Sequence, residues 1–310
     1  MTSYVLTPAI QALLERSAHF TPLDNSLNAR RVAFQALCRA FTPATPGNLT
    51  LHDICLDGLS LRLYLPAGEP PDGGWPVMLY LHGGGWSMGN LDSHDWFVYP
   101  VMQRVPIAVV AVAYRLAPEQ PYPAALEDTL TAWHLLRRGA LRPSLSTVRM
   151  LVCGESAGGT LAAALCVALQ TQGQVQPLTQ VLLYPVLTAS EQLPSARECA
   201  DAPFLTSAAL KASIETYLPN PEDRDAATAM PLNALTLRGL ASAFIGVVEH
   251  DPLRDHGIEY HCRLLAEGVA SSLYVGEGLV HGCLRDAGIT EVAALYDRVA
   301  DHVRAALAVN

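Results

Sequence analysis

The sequence predicts an α/β protein: a mostly parallel, doubly wound sheet of about eight strands with helices on both faces. Three observations predict it. Apolar runs of strand length alternate with amphipathic stretches of helical period over most of the chain. The runs at 77–81, 107–114 and 181–184 are apolar throughout, as strands covered on both faces are. No internal repeat competes with that alternation. With 310 residues, 50% of them hydrophobic, the chain can bury one large core, so a single domain over 1–310 is expected.

Residues 1–46 carry two amphipathic stretches, around Ile10, Leu13 and Leu14 and around Val32, Ala36, Leu37 and Phe41. Thr21-Pro22 separates them and Thr42-Pro43 ends the second. From Leu49 the period falls to two. Leu59, Leu61, Leu63 and Leu65 alternate with polar or small residues after the turn pair Asp57-Gly58, which reads as an antiparallel hairpin. A Pro- and Gly-rich loop, 66–76, leads to the strand 77–81, and the run at 107–114 gives another. A helix is expected over 123–138, with Leu126, Leu130 and Trp133 on one face and Gly139 as its stop. The strand 148–153 runs into a helix from Ala157 whose Leu161, Leu165 and Leu169 recur every fourth position.

After the strand 181–184, closed by Pro185, the rhythm breaks. Residues 188–233 are rich in Pro, Ala, Asp and Glu and hold one helical stretch, 208–218, with Leu210, Ile214 and Tyr217 on one face. The alternation resumes with strand 243–248, helix 255–267 stopped by Gly268, strand 272–275 and a final helix carrying Leu295, Val299 and Val303. The helices 28–41 and 208–218 have no strand of their own to cover. They are expected to bury their apolar faces on each other, forming a cap from about 1–46 and 188–233 over the carboxyl edge of the sheet.

Charge and composition exclude several classes of function. A net charge of −9, with no basic cluster longer than two residues, argues against nucleic acid and anionic membranes as partners. The longest apolar run, 161–169, falls far below the ~20 residues that span a bilayer. Lys211 is the only lysine and stands far from any glycine-rich turn, which disfavours Schiff-base chemistry and a phosphate-loop lysine. The 10 histidines form no metal-binding pattern, and the 7 cysteines, free of Cys-x-x-Cys pairs, read as reduced core thiols. No metal or organic cofactor is expected. No secretory signal pattern is visible at the start, so a cytoplasmic location is expected.

Sites in such sheets lie at the carboxyl ends of strands. Three of those ends carry reactive or oxyanion-binding groups. The first is Gly154-Glu155-Ser156-Ala157-Gly158, where a strand meets a helix and the serine stands on a turn that needs small residues two positions away on both sides. The backbone N–H groups of the helix start can stabilise an oxyanion. The second is His82-Gly83-Gly84-Gly85-Trp86 after the strand 77–81, where successive glycines let backbone N–H groups face a ligand. The third holds Asp251 and His281. Ser156, Asp251 and His281 stand in the order of a nucleophile, an acid and a base in this architecture. Glu249, Asp255 and Glu277 compete as acids, and His250, His256, His261 and His302 as bases. Asp255 has a plain role at a helix start, and His261 and His302 fall inside helices as surface residues.

Together with Tyr114-Arg115-Leu116-Ala117-Pro118-Glu119, Asp251-Pro252-Leu253-Arg254-Asp255 and His281-Gly282, these motifs resemble the hormone-sensitive-lipase-like family of α/β-hydrolase carboxylesterases, of bacterial acetyl-esterase type, over residues 50–305. The resemblance implies a triad of Ser156, Asp251 and His281, an oxyanion hole from the N–H groups of Gly83, Gly84 and Ala157, and a cap. It implies hydrolysis of esters of short to medium acyl chains, with Trp86, Glu155 and Leu253 bordering the substrate pocket. The sequence departs from the family at Glu155, where Asp is more frequent, and at Cys283, where an aromatic residue is. Neither position performs the chemistry. Arg115 and Glu119 read as structural charges of a loop beneath the site, and Asp92, His94 and Asp95 as residues that order a loop. A small-molecule ester is the expected partner and a homodimer is left open. An amidase or peptidase on the same residues is the alternative among enzymes; a ligand-binding protein that kept the fold without catalysis is the alternative outside them.

Overall fold

A computed structural model describes residues 4–308. Its strands are β1 (Leu49–Leu56), β2 (Leu59–Pro66), β3 (Trp75–Leu81), β4 (Ala108–Val112), β5 (Leu145–Glu155), β6 (Thr179–Leu183), β7 (Ser242–His250) and β8 (Ser271–Val280). They form one 8-stranded sheet in the order β1-β2-β4-β3-β5-β6-β7-β8. The β1–β2 and β2–β4 pairs are antiparallel and every other pair is parallel. The hairpin closes as the turn pair predicts, with φ 53° at Asp57 and 79° at Gly58, the left-handed pair that matches strand twist.

Alternation along the strands divides the core between the two faces of the sheet. Val77, Leu79 and Leu81 of β3 join one cluster with Met150 and Val152 of β5. Met78 and Tyr80 join the other with Leu151 and Cys153. The first face is covered by α4 (Ala124–Arg137), α5 (Ala157–Thr171) and α8 (Arg254–Ala266). The second is covered by α3 (Asp95–Arg104) and α9 (Thr290–Ala308). The α3 helix has no counterpart among the elements expected from sequence. Every residue from Trp96 to Met102 is buried and Pro100 stands inside it, so no amphipathic period marks it.

The segments outside the alternation contain α1 (Pro8–Ser17), α2 (Leu27–Phe41), α6 (Ser195–Glu198) and α7 (Ser207–Tyr217). Here the arrangement differs from the expectation. Cys38 and Phe41 of α2, with Ile10 and Leu13 of α1, belong to the cluster on the α3 and α9 face. Leu210, Ile214 and Tyr217 of α7 belong to the cluster on the opposite face. The two helices therefore do not bury their apolar faces on each other; each extends a different half of the core, and they flank a cavity between them. Arg31 fixes α2 in place, with Nη1 and Nη2 on the two carboxylate oxygens of Glu119 at 2.7 and 2.8 Å and Nε on the Ser87 carbonyl at 2.8 Å. No helix among the described residues is long and apolar enough to cross a membrane.

Candidate active site

Ser156 stands between β5 and α5 with φ 55° and ψ −122°, a conformation that L-residues rarely adopt and that active-site turns retain because their surroundings enforce it. The enforcement is visible. The Ser156 N–H donates to the Leu183 carbonyl at 2.8 Å, and its own carbonyl accepts the Gly159 N–H at 2.9 Å. A Cβ on Gly158 would overlap the Leu81 carbonyl oxygen, and one on Gly154 would overlap that of Gly158. Only glycines let β5, α5 and the end of β3 approach this closely.

The carboxyl ends of β7 and β8 bring the other two groups. His281 Nε2 lies 3.0 Å from Ser156 Oγ, and His281 Nδ1 lies 2.8 Å from Asp251 Oδ2. Asp251 is fully buried, and its Oδ1 accepts the Leu253 N–H at 2.8 Å. Its two oxygens are thus divided between a backbone donor and the imidazole. The competing residues are engaged elsewhere. Glu249 accepts the Gly278 N–H, and Asp255 accepts the Ser195 N–H. His250 lies against the Val5 carbonyl, His256 against the Leu187 N–H, His261 against Ser271 and His302 against Thr179. Glu277 is exposed.

Gly83 takes a different place from the expected one. Its N–H donates to Glu155 Oε1 and is occupied. Gly84 and Gly85, the next residues of the same string, line the cavity with Ser156, and among the described residues no protein acceptor takes their N–H groups or that of Ala157. Leu253 is also corrected: its side chain is buried in the core cluster and does not line the cavity, and its contribution is the backbone donor to Asp251. Trp86 and Glu155 do line the cavity. The Trp86 ring stacks on Tyr217 of α7, with centroids 4.4 Å apart and planes 5° from parallel.

Glu155 is buried. Burial alone would raise its pKa, but the close approach of His94 and the positive charge of Arg285 outweigh burial and hold it below the usual carboxylate range. His94, expected only to order a loop, lies with Nε2 3.1 Å from Glu155 and Nδ1 2.6 Å from Ser93 Oγ, stacked on His82. Asp92 and Asp95 do order their surroundings, through Arg62 and through Tyr64 and Tyr99 respectively. Arg115 pairs with Glu127 and Asp128, away from the cavity. Sequence reasoning missed Phe34, Leu37, Phe204 and Arg285, which line the cavity of about 270 Å³ from separate segments. For Phe34, Leu37 and Phe204 the available signal was their position in the stretches outside the strand-helix alternation, and for Arg285 its place shortly after His281-Gly282.

An open, mostly parallel sheet with a strained serine elbow at its carboxyl edge defines an α/β hydrolase. A family model described as alpha/beta hydrolase fold matches residues 78–285. The chain is 40% identical to the carboxylesterase NlhH of Mycobacterium tuberculosis over 245 residues, 77% of this chain and 76% of that one. It is 36% identical to an ethyl acetate hydrolase of Pseudomonas putida over 236 residues, 76% of this chain and 74% of that one. A solved thermostable esterase from Pseudomonas putida superposes with a TM-score of 0.90 at 25% identity, covering 99% of both chains. The chain belongs to the hormone-sensitive-lipase-like esterases of the α/β-hydrolase fold, and it is a carboxylic ester hydrolase.

Proposed function

We propose that the chain hydrolyses small esters through an acyl-enzyme on Ser156, with His281 as base, Asp251 as its orienting acid, and Gly84, Gly85 and Ala157 as the oxyanion hole. The observation that carries this reading is the continuous contact from Ser156 Oγ through His281 to the buried Asp251. His281 Nε2 takes the Ser156 proton as Oγ attacks the ester carbonyl, and Asp251 stabilises the resulting imidazolium. The carbonyl oxygen becomes an oxyanion held by the three N–H groups. Collapse expels the alcohol, which takes the proton from His281. Water then attacks the acyl-enzyme with His281 again as base, and the acid leaves.

Short to medium acyl chains fit the surroundings of Ser156. The cavity of about 270 Å³ falls just below the range for small-molecule sites, roughly 300–1,000 Å³. Trp86, Phe34 and Leu37 give it apolar walls. The ethyl acetate hydrolase among its relatives, named for an ester with a two-carbon acyl chain, supports the same reading.

Ser156→Ala, checked for folding, should lose nearly all turnover of p-nitrophenyl butyrate; retention of more than about a tenth of kcat would overturn the assignment. Asp251→Asn should lower kcat by about 10⁴. Asp255→Asn should act on stability instead, since Asp255 holds α6 through the Ser195 N–H. The reverse pattern in folded variants would reassign the acid. Matched anilides run alongside the esters separate amide from ester preference.

A further inference from the structure

The cavity around Ser156 contains a cation, Arg285, that the hydrolytic steps do not use and that meets the buried Glu155 charge only at a distance. Arg285 sits on the short turn after His281-Gly282, and its side chain lines the cavity with both. It pairs with no carboxylate among the described residues. Its Nη1 donates to the Gly282 carbonyl at 3.1 Å, its guanidinium also meets the Cys38 thiol, and its Nε, closed off from the cavity, has no protein acceptor. Three aromatic rings surround the guanidinium, with Cζ 5.7 Å from the centroids of Phe34 and Trp96 and 5.9 Å from that of Phe204. Rings of this kind favour a cation but accept none of its in-plane hydrogen bonds. Glu155 borders the same cavity, yet its carboxylate takes the Gly83 N–H and lies 3.1 Å from His94 Nε2.

The outer Nη side of a half-buried guanidinium can donate a charge-assisted hydrogen bond to a carboxylate, and desolvating it with only a distant anion is unfavourable. We propose that Arg285 is a substrate-binding residue that receives a free carboxylate, so that the preferred substrates are small esters carrying an anionic group on the acyl or the alcohol side. This rests on Ser156 being the nucleophile. The net charge of −9 works against such substrates at long range, so recognition has to be local. The contact is remote from the reacting carbonyl and is made in the ground state and the transition state alike, so it acts mainly on KM.

Two near-isosteric pairs test the proposal. Monoethyl succinate against ethyl 4-methylpentanoate places the charge on the acyl side; butyryloxyacetate against isobutyl butyrate places it on the alcohol side. In the wild-type enzyme the charged member of at least one pair should match or exceed its neutral partner in kcat/KM. Arg285→Met should lower that charged-to-neutral ratio about tenfold or more, mostly through KM, and Arg285→Lys should recover part of it, as expected for a charge-assisted hydrogen bond. The pair that responds identifies the side that bears the carboxylate. Two results would overturn the proposal. One is a wild-type ratio below about one tenth for both pairs, a measurement that needs no variant to fold. The other is a loss in Arg285→Met shared equally by both members of each pair, which would mark Arg285 as support for Glu155 or the fold. Ser156→Ala provides the separate control: neutral-ester turnover that survives in it fails the nucleophile reading, whatever the ratios are.

Discussion

Ser156 reaches its position because two glycines remove every side chain that would hold β5, α5 and the end of β3 apart. Gly158→Ala would drive a methyl group into the Leu81 backbone oxygen, a partner that cannot rotate away. It should cost about 3 kcal/mol of stability, at the upper end for overpacking, and abolish activity. A urea midpoint within error of wild type would show that β3 and α5 can separate freely. This part of the site was legible in the sequence because the serine, its glycines and its oxyanion helix start are neighbours along the chain. Asp251 and His281 were legible from order and from their positions beyond strand ends. The register of the glycines proposed for the oxyanion hole was not, since three consecutive glycines look alike until the reach of Glu155 removes the Gly83 N–H from the set. Leu253 and Arg285 were equally hidden, because which way a loop side chain turns depends on packing between distant segments.

Amphipathic helices announced themselves; of the helices buried almost all round, α5 was read through its leucine repeat after the serine turn, and α3 was not. The amphipathic α2 and α7 were read from sequence to within about two residues, whereas α3 has no solvent face to impose a period. Their mutual arrangement was beyond the pattern: an apolar stripe says that a helix must be covered, not which half of a core covers it. The outcome matters for substrate length. Leu210 of α7 borders both the cavity of Ser156 and a second cavity of about 100 Å³ on the other side of the helix, lined also by Ala189, Ala196 and Ile214. Leu210→Ala should join the two spaces and move the acyl-chain optimum up by about two carbons. Each added methylene that finds room can gain about 0.8 kcal/mol, roughly fourfold in kcat/KM. Adding Ala189→Leu to Leu210→Ala should refill the second cavity and restore the short optimum. If the double variant keeps the longer optimum, the effect comes from loosening of α7 and not from the second cavity.

The whole molecule holds several histidines where water cannot reach them, which ties its stability to pH. Burial, aided by the neighbouring His94, lowers the pKa of His82 from its ordinary value to about 3, and burial lowers that of His256 to about 4. Burial also lowers His302. In the unfolded chain these residues take up protons near pH 6.5, while the folded protein excludes the protons until the pH is far lower. The unfolded state therefore binds more protons across that window, and stability must rise with pH there and fall on acidification. At one pKa unit per 1.36 kcal/mol, His256 alone contributes about 3 kcal/mol that is present above pH 6.5 and lost as the pH falls toward 4; His82 contributes about 5 kcal/mol, lost toward pH 3. Those are large fractions of the 5–15 kcal/mol that holds a typical domain together. Glu155 acts in the same direction at lower pH, since a carboxyl held below its usual range adds stability that is fully present above about pH 4.5 and is lost as the pH falls through its lowered folded-state pKa. Urea unfolding at pH 7, 6 and 5 should thus show a steady loss of stability, at least two protons steep by pH 5. His256→Asn keeps a side-chain acceptor near the Leu187 N–H but cannot be protonated. It should lower the slope by about one proton, whatever its effect at pH 7. An unchanged slope in that variant would mean that His256 is protonated without unfolding, and that the space between α8 and β6 admits water.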